Sequence, residues 1–197
     1  TPLLIEQAEE ALRPLWQDWE TVCHETTRRI LTGFSRAGLN ETHFASVSGY
    51  AHHDTGREVT DAIFAHALQA PSALVRLQFV SGTHAIATAL RACLAAQPGR
   101  LVSLTGPPYD TLEEVIGLRG NSSASLIAQG HSYSSVWGFL GLSHTFAPPV
   151  ADELALASVI FIQRSCGYST QRASLSIAEI HYLMTQVKAV NPSALIV

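Results

Sequence analysis

Apolar residues return every three or four positions early in the chain, at Leu4, Ala8, Leu12, Leu15 and Trp19, and again at Val22, Ile30 and Leu31 toward Gly33. That spacing predicts one or two helices over residues 3–31, with Pro14 as a boundary or kink because proline lacks an N–H and crowds the preceding turn. Such a segment packs on its own domain or on a partner subunit. A polar, glycine-punctuated loop follows over 44–57 and carries Tyr50, His52, His53, Asp54 and Arg57. Val59, Ile63, Phe64 and Ala67 then restore helical spacing over 58–68, with Asp54 or Thr55 near the start.

The next stretch changes period. Leu74, Val75, Leu77, Phe79 and Val80 form a short apolar run, and Ile86, Ala89, Leu90, Cys93 and Leu94 recur at three and four, so residues 74–94 read as strand, tight turn and helix. Pro98-Gly99 stops that helix, and a second strand is predicted over 101–105. A further helix follows Pro107-Pro108-Tyr109, capped by Asp110 or Thr111 with Glu113 or Glu114 completing a capping box. Residues 117–147 are rich in glycine and serine and give weak signals, a short helix near 125–128 and a strand near 133–137. Beyond them come a helix end at 154–157, a buried strand over 158–163, a helix capped by Ser176 with Glu179 at its third position, and the start of a strand at 194–197.

Short apolar runs alternating with crossover helices predict an α/β protein, an α/β/α sandwich whose mainly parallel sheet is covered on both faces. The expected division is an N-terminal helical segment, 1–45, and a sheet-bearing part, 46–197. Composition agrees with a compact fold, since hydrophobic residues make up 47% and charged ones 14% against a usual share of about 25%. No apolar run reaches the ~18 residues of a membrane span. The net charge of −4 without a basic patch argues against nucleic acid. Cys23, Cys93 and Cys166 have no C-x-x-C spacing, which suggests neither zinc nor a disulfide framework and suits a reducing cytosol. A chain without an initiator Met that stops inside an apolar run reads as a piece of a longer protein. Eleven of the twelve basic residues are arginine, so chemistry that needs a lysine has one candidate, Lys188, which reads as a solvated residue near a helix end.

Candidate chemistry gathers at strand exits. Ser81-Gly82-Thr83 opens a helix where Gly82 lets backbone approach a ligand and the free N–H groups suit a phosphate, although a plain capped helix explains the same residues. In a parallel sheet the carboxyl ends of the strands share one rim, which would bring Tyr109 and Arg164-Ser165 to the same side. Tyr109 then suits a flat ring beside a phosphate, or an ordinary turn, and Arg164 suits a carboxylate, or a surface acid. Within the 44–57 loop, Tyr50 and Arg57 suit an anion. His52-His53-Asp54 lacks the ligand spacing of a metal site.

Taken in order, four blocks resemble the methionine gamma-lyase-like or aluminium-resistance family of pyridoxal-phosphate enzymes. They are Ser48-Gly49-Tyr50 with Asp54 and Gly56-Arg57; Val75-Arg76 and Gln78 with Val80-Ser81-Gly82-Thr83-His84-Ala85-Ile86; Pro108-Tyr109-Asp110-Thr111-Leu112-Glu113-Glu114-Val115-Ile116-Gly117; and Gln163-Arg164-Ser165 with Gly167-Tyr168 and Ser174-Leu175. The likeness covers nearly the whole chain. Ala51-His52-His53, Leu77, Cys166 and residues 170–173 depart from it.

The resemblance implies a large domain of the aspartate-aminotransferase type, incomplete here, and pyridoxal 5′-phosphate as cofactor. It implies that Ser81, Gly82 and Thr83 hold the cofactor phosphate and that Tyr109 stacks on the ring. It further implies that Tyr50 and Arg57 reach a neighbouring subunit's phosphate in a homodimer or homotetramer, and that Arg164 and Ser165 meet the substrate. The aspartate that pairs with the ring nitrogen and the lysine that carries the cofactor are expected beyond Val197. The parent is then a carbon–sulfur lyase acting on a small sulfur amino acid of methionine or cystathionine type, with this piece inactive alone. The alternative is a non-catalytic module that binds a phosphorylated ligand or pairs with another subunit. A serine or cysteine hydrolase ranks below both for want of a Gly-x-Ser-x-Gly elbow.

Overall fold

The computed structural model describes residues 2–47, 54–136, 148–165 and 172–197. They divide into two compact units, Thr1–Phe79 and Val80–Val197.

In the first unit the early three-four pattern gives one helix, α1 (Pro2–Arg36), which runs through Pro14. A short 3-10 helix (Glu41–Phe44) and α2 (Thr55–Leu68) follow. Gly33, the buried residue of α1, packs against α2; a Cβ there would lie 3.1 Å from the His66 ring and 3.5 Å from the Ile63 carbonyl oxygen. Asp54 caps α2 by accepting from the Arg57 N–H at 3.1 Å. Gly56 is fixed by another approach, since a Cβ would stand 2.7 Å from the His43 carbonyl oxygen.

The strand expected over 74–80 is absent. Leu77 is 97% exposed and Val80 82%, and the segment pairs with no strand among the described residues. Its backbone is held by a side chain instead. Asp61 Oδ1 accepts from the Val75 N–H at 2.7 Å and from Arg76 Nη1 at 2.8 Å, while the Phe79 N–H closes a turn on the Arg76 carbonyl. An apolar run supplies a strand only where a neighbouring edge offers partners for its N–H and C=O groups. Here a carboxylate takes that place.

The Val75 hydrogen bond leads the influences that hold the Asp61 carboxyl below its ordinary range, with the Arg76 bond and charge adding to it against partial desolvation. A lowered folded-state pKa means stability that is present above the unfolded carboxylate value and lost as pH falls through the folded one. Protection of the Val75 amide against hydrogen exchange is therefore expected to fall on acidification through that window. In Asp61→Asn it should be flat with pH and about fivefold weaker at neutrality, the scale of one ~1 kcal/mol hydrogen bond. Equal protection in the two proteins at neutral pH would remove Asp61 from this role.

The second unit contains α3 (Gly82–Ala96), β1 (Arg100–Ser103), α4 (Asp110–Ile116), β2 (Ser132–Ser135), α5 (Pro148–Ala155), β3 (Val159–Phe161), α6 (Ile177–Val190) and β4 (Leu195–Ile196). The four strands are parallel in the order β2-β1-β3-β4, with Leu101 opposite both Tyr133 and Val159 and with Ile160 opposite Ile196. Successive strand residues point to opposite faces, so each strand feeds two cores. Leu101, Val159 and Phe161 cluster with Leu90 and Leu94 of α3 and Leu112 and Ile116 of α4. Val102 and Ile160 cluster with Val150 and Leu154 of α5 and Leu183 and Val187 of α6. The two-faced parallel sheet read from the alternation of elements is present.

Three local expectations change. Tyr109, not Asp110 or Thr111, is the N-cap of α4 and makes no side-chain cap bond; Asp110 is the first helical residue and its carboxylate accepts from the Thr111 N–H at 2.8 Å. The carboxylate is thus already used inside the first turn, so no box forms. Residues 125–128 are turns rather than helix, as Ile127 and Leu126 bond back to the end of α4. Lys188 is exposed, but its ammonium donates to the carbonyls of Pro192 at 3.0 Å and Ala194 at 2.7 Å, closing the turn into β4. The Ser176–Glu179 capping box of α6 forms as read.

Candidate functional site

β1 leads through α4 to β2 on one side, whereas β3 leads through α6 to β4 on the other. The crevice between β1 and β3 is therefore the switch point of the sheet, where the two chain exits diverge at the carboxyl ends and leave room for a ligand. Tyr109 follows β1 and Gln163, Arg164 and Ser165 follow β3. The N-terminus of α3 reaches the same place. Together Gly82, Thr83, Tyr109, Gln163 and Ser165, with an apolar floor of Ile86, Leu112 and Phe161, line a cavity of about 360 Å³.

Ser81 is the N-cap of α3, its Oγ accepting from the His84 N–H at 3.1 Å, and its carbonyl accepts the first helical bond from Ala85. Of the two residues that could cap this helix, Ser81 and Thr83, Ser81 does so. It leaves the N–H groups of Gly82 and Thr83 with no acceptor among the described residues, at the positive end of a 15-residue helix. A Cβ on Gly82 would meet nothing within 4 Å, so the open side of the turn is available to a ligand rather than filled by protein. Thr83 Oγ1 lies 2.8 Å from Thr111 Oγ1, which links the starts of α3 and α4.

Of the residues singled out in the sequence, the structure brings Gly82, Thr83, Tyr109 and Ser165 to one cavity, with Ser81 capping the helix at its edge. Arg164 sits exposed between two of the wall residues, at the exit of β3. Arg57 belongs to the first unit, where its Nε stands 3.1 Å from Asp54 Oδ2 and its side chain is 54% exposed. Tyr50, His52 and His53 lie outside the described residues.

Gln163 enters the sequence reading only as the first residue of the fourth block, with no site role. Its side chain accepts the Tyr109 N–H at 2.9 Å and donates to the Ser165 carbonyl at 2.8 Å, while its own N–H donates to Thr105 Oγ1 at 2.9 Å. One amide thus ties both strand exits together. The signal available in the sequence was its place directly before Arg164-Ser165, at the end of a buried strand. Thr105 gave no signal, and Thr111 only that of a candidate cap and of the third block, because the partners they find here are distant in sequence. Among the described residues no group of three His, Cys, Asp or Glu is placed to hold a metal ion, and no helix is long and apolar enough to cross a membrane.

Comparison with known proteins agrees with this geometry. The family model for methionine gamma-lyase matches residues 2–197. Uncharacterized protein YnbB of Bacillus subtilis (strain 168) is 34% identical over 179 residues, 90% of this chain and 42% of that protein. A structure from Listeria monocytogenes str. 4b F2365, described as a "putative cystathionine beta-lyase involved in aluminum resistance", superposes with a TM-score of 0.88 at 32% identity over 100% of this chain and 48% of its own. The carbon-sulfur lyase involved in aluminum resistance from Clostridium novyi NT gives a TM-score of 0.81 at 29% identity, over 97% of this chain and 45% of its own. The chain spans less than half the length of each of these relatives. With the family model matched from residue 2 to residue 197, the chain belongs to the methionine gamma-lyase family.

Proposed function

We propose that this chain supplies the phosphate- and ring-binding half of a pyridoxal 5′-phosphate site in a carbon–sulfur lyase that acts on a small sulfur-containing amino acid. The observation that carries the reading is the opening of α3 onto the same cavity as Tyr109, with two uncommitted N–H groups and no side chain on Gly82. The donor set fits a phosphate monoester attached to a flat ring. The Gly82 and Thr83 N–H groups donate to phosphate oxygens, and the Ser81 hydroxyl, which accepts from His84, still has its proton to give. Tyr109 supplies a flat wall that keeps water from one ring face, and its backbone is fixed by Gln163. Arg164, exposed at the exit of β3, is the group for the substrate carboxylate, and Ser165 lines the cavity beside it. When bound, the cofactor supplies the electron sink that weakens bonds at the substrate's α-carbon.

Tyr50 and Arg57 are assigned to the phosphate of a neighbouring subunit in a homodimer or homotetramer. For Arg57 this means exchanging the Asp54 carboxylate for a phosphate, an exchange of one anion for another at an exposed side chain. Lys188 is not the cofactor's lysine, since its ammonium is held by two carbonyls at the turn into β4.

The purified chain is therefore expected to be stabilised by inorganic phosphate and more strongly by pyridoxine 5′-phosphate, with a gain of about 2.7 kcal/mol at ~100 times Kd. Borohydride treatment with pyridoxal 5′-phosphate should leave Lys188 unmodified. No melting shift with either ligand, or a stoichiometric reduced adduct on Lys188 at one equivalent of pyridoxal 5′-phosphate, would overturn the reading.

A further inference from the structure

We propose that Arg172 is the positioning residue of this cavity, a brace that holds the exits of β1 and β3 in the register that presents Gln163 and Tyr109 to the ring. Its guanidinium is engaged by backbone oxygens on both sides of the crevice. Nε donates to the Thr105 carbonyl at 3.2 Å, beyond β1. Nη2 donates to the Gln163 carbonyl at 2.6 Å, and Nη1 to those of Arg164 at 2.9 Å and Ala173 at 3.1 Å, beyond β3. Four of the five N–H groups of an arginine are thereby spent on carbonyls. A planar fork reaching four acceptors fixes their mutual placement in a way a lysine point charge does not.

Two of these carbonyls, of Gln163 and Arg164, belong to residues of the rim, and a third, of Thr105, belongs to the residue that takes the Gln163 N–H. Gln163 is gripped at its carbonyl by Arg172 and at its N–H by Thr105, whose own carbonyl Arg172 also holds. With its backbone pinned, the Gln163 amide is aimed at the Tyr109 N–H and the Ser165 carbonyl. The two arginines of this rim then divide the work. Arg172 is committed to the scaffold and takes no substrate carboxylate, which leaves that task to Arg164. The ligand part of this inference rests on the pyridoxal-phosphate reading above; the bracing part rests on the hydrogen bonds alone.

Arg172→Met and Arg172→Lys separate the two. In Arg172→Met, hydrogen exchange at the Tyr109 and Gln163 N–H groups is expected to quicken at least about tenfold, the scale of lost charge-assisted bonds, while the amides between β1 and β3 stay protected. Inorganic phosphate should bind as in the parent chain, because α3 is untouched, but the preference for pyridoxine 5′-phosphate over inorganic phosphate should shrink. Arg172→Lys should restore part of both. Unchanged Tyr109 exchange in a folded Arg172→Met would overturn the brace, as would an equal loss of affinity for both ligands. Should the methionine variant fail to fold, parent-like Tyr109 exchange in Arg172→Lys would overturn it equally. A parent chain that binds neither ligand would end the cofactor reading and the ring-positioning claim with it, while the exchange measurement still decides the brace.

Discussion

Gly82→Asp is expected to abolish stabilisation by inorganic phosphate and by pyridoxine 5′-phosphate while leaving the melting temperature of the ligand-free chain unchanged or slightly raised. The two halves of that expectation have separate causes. Within the chain the substitution is harmless, because a Cβ at position 82 meets nothing within 4 Å and an acidic side chain in the first turn of a helix is favoured by the dipole. Toward a phosphate it is prohibitive, since the new carboxylate takes the same N–H groups and repels the ligand. The loss should reach about 100-fold in affinity, or about 2.7 kcal/mol, with Gly82→Asn much closer to the parent. Thermal shift with and without each ligand reads both halves at once. A ligand-induced shift that survives in Gly82→Asp would mean that the phosphate does not sit at the start of α3.

Asn191→Leu should act on stability rather than on the cavity. Asn191 is 7% exposed, and its Nδ2 donates to the carbonyls of Leu154 at 2.8 Å, Ala157 at 2.9 Å and Ala155 at 3.3 Å. Its Oδ1 accepts from the Ala194 N–H at 3.1 Å and from Ser193 Oγ at 2.8 Å. One side chain therefore bonds carbonyls at the C-terminal end of α5 and the entry to β4. Leucine keeps the branched shape but leaves the Ala155 and Ala157 carbonyls without this donor and the Ala194 N–H with only the Asn191 carbonyl at 3.3 Å, at a cost of about 3 kcal/mol, which urea unfolding would read directly. An unfolding midpoint close to that of the parent chain would show that water or a shift of the α5 end replaces these bonds.

The elements that came directly from the sequence are those whose signals are local. The 3.6-residue period of α2, α3 and α6 and the Ser176–Glu179 box depend on neighbours within one turn, and all are present, while the choices left open between Ser81 and Thr83 and between Asp54 and Thr55 fall to Ser81 and Asp54 as caps. The buried strand over Val159–Phe161 was marked by its continuous apolar run, as befits a strand covered on both faces. Residues 74–80 carried the same kind of run and formed no strand, because hydrogen-bonding partners are supplied by the rest of the fold and not by the run itself. Asp110-Thr111 with Glu113-Glu114 had the letters of a capping box, yet the chain enters α4 one residue earlier, at Tyr109.

For the candidate site, the sequence by itself determined the wall residues Gly82, Thr83, Tyr109 and Ser165 and the expectation that they share a rim. Strand exits in a parallel α/β order fall on one edge, and a short loop in front of a helix keeps its residues near the helix N-terminus. Only the tertiary structure decided what holds that rim together. The Gln163 amide reaches Tyr109 across 54 residues of chain, and the Arg172 guanidinium reaches Thr105 across 67. Neither link has a spacing, a period or a local composition to announce it, because each is made by two strands that become neighbours only when the sheet assembles.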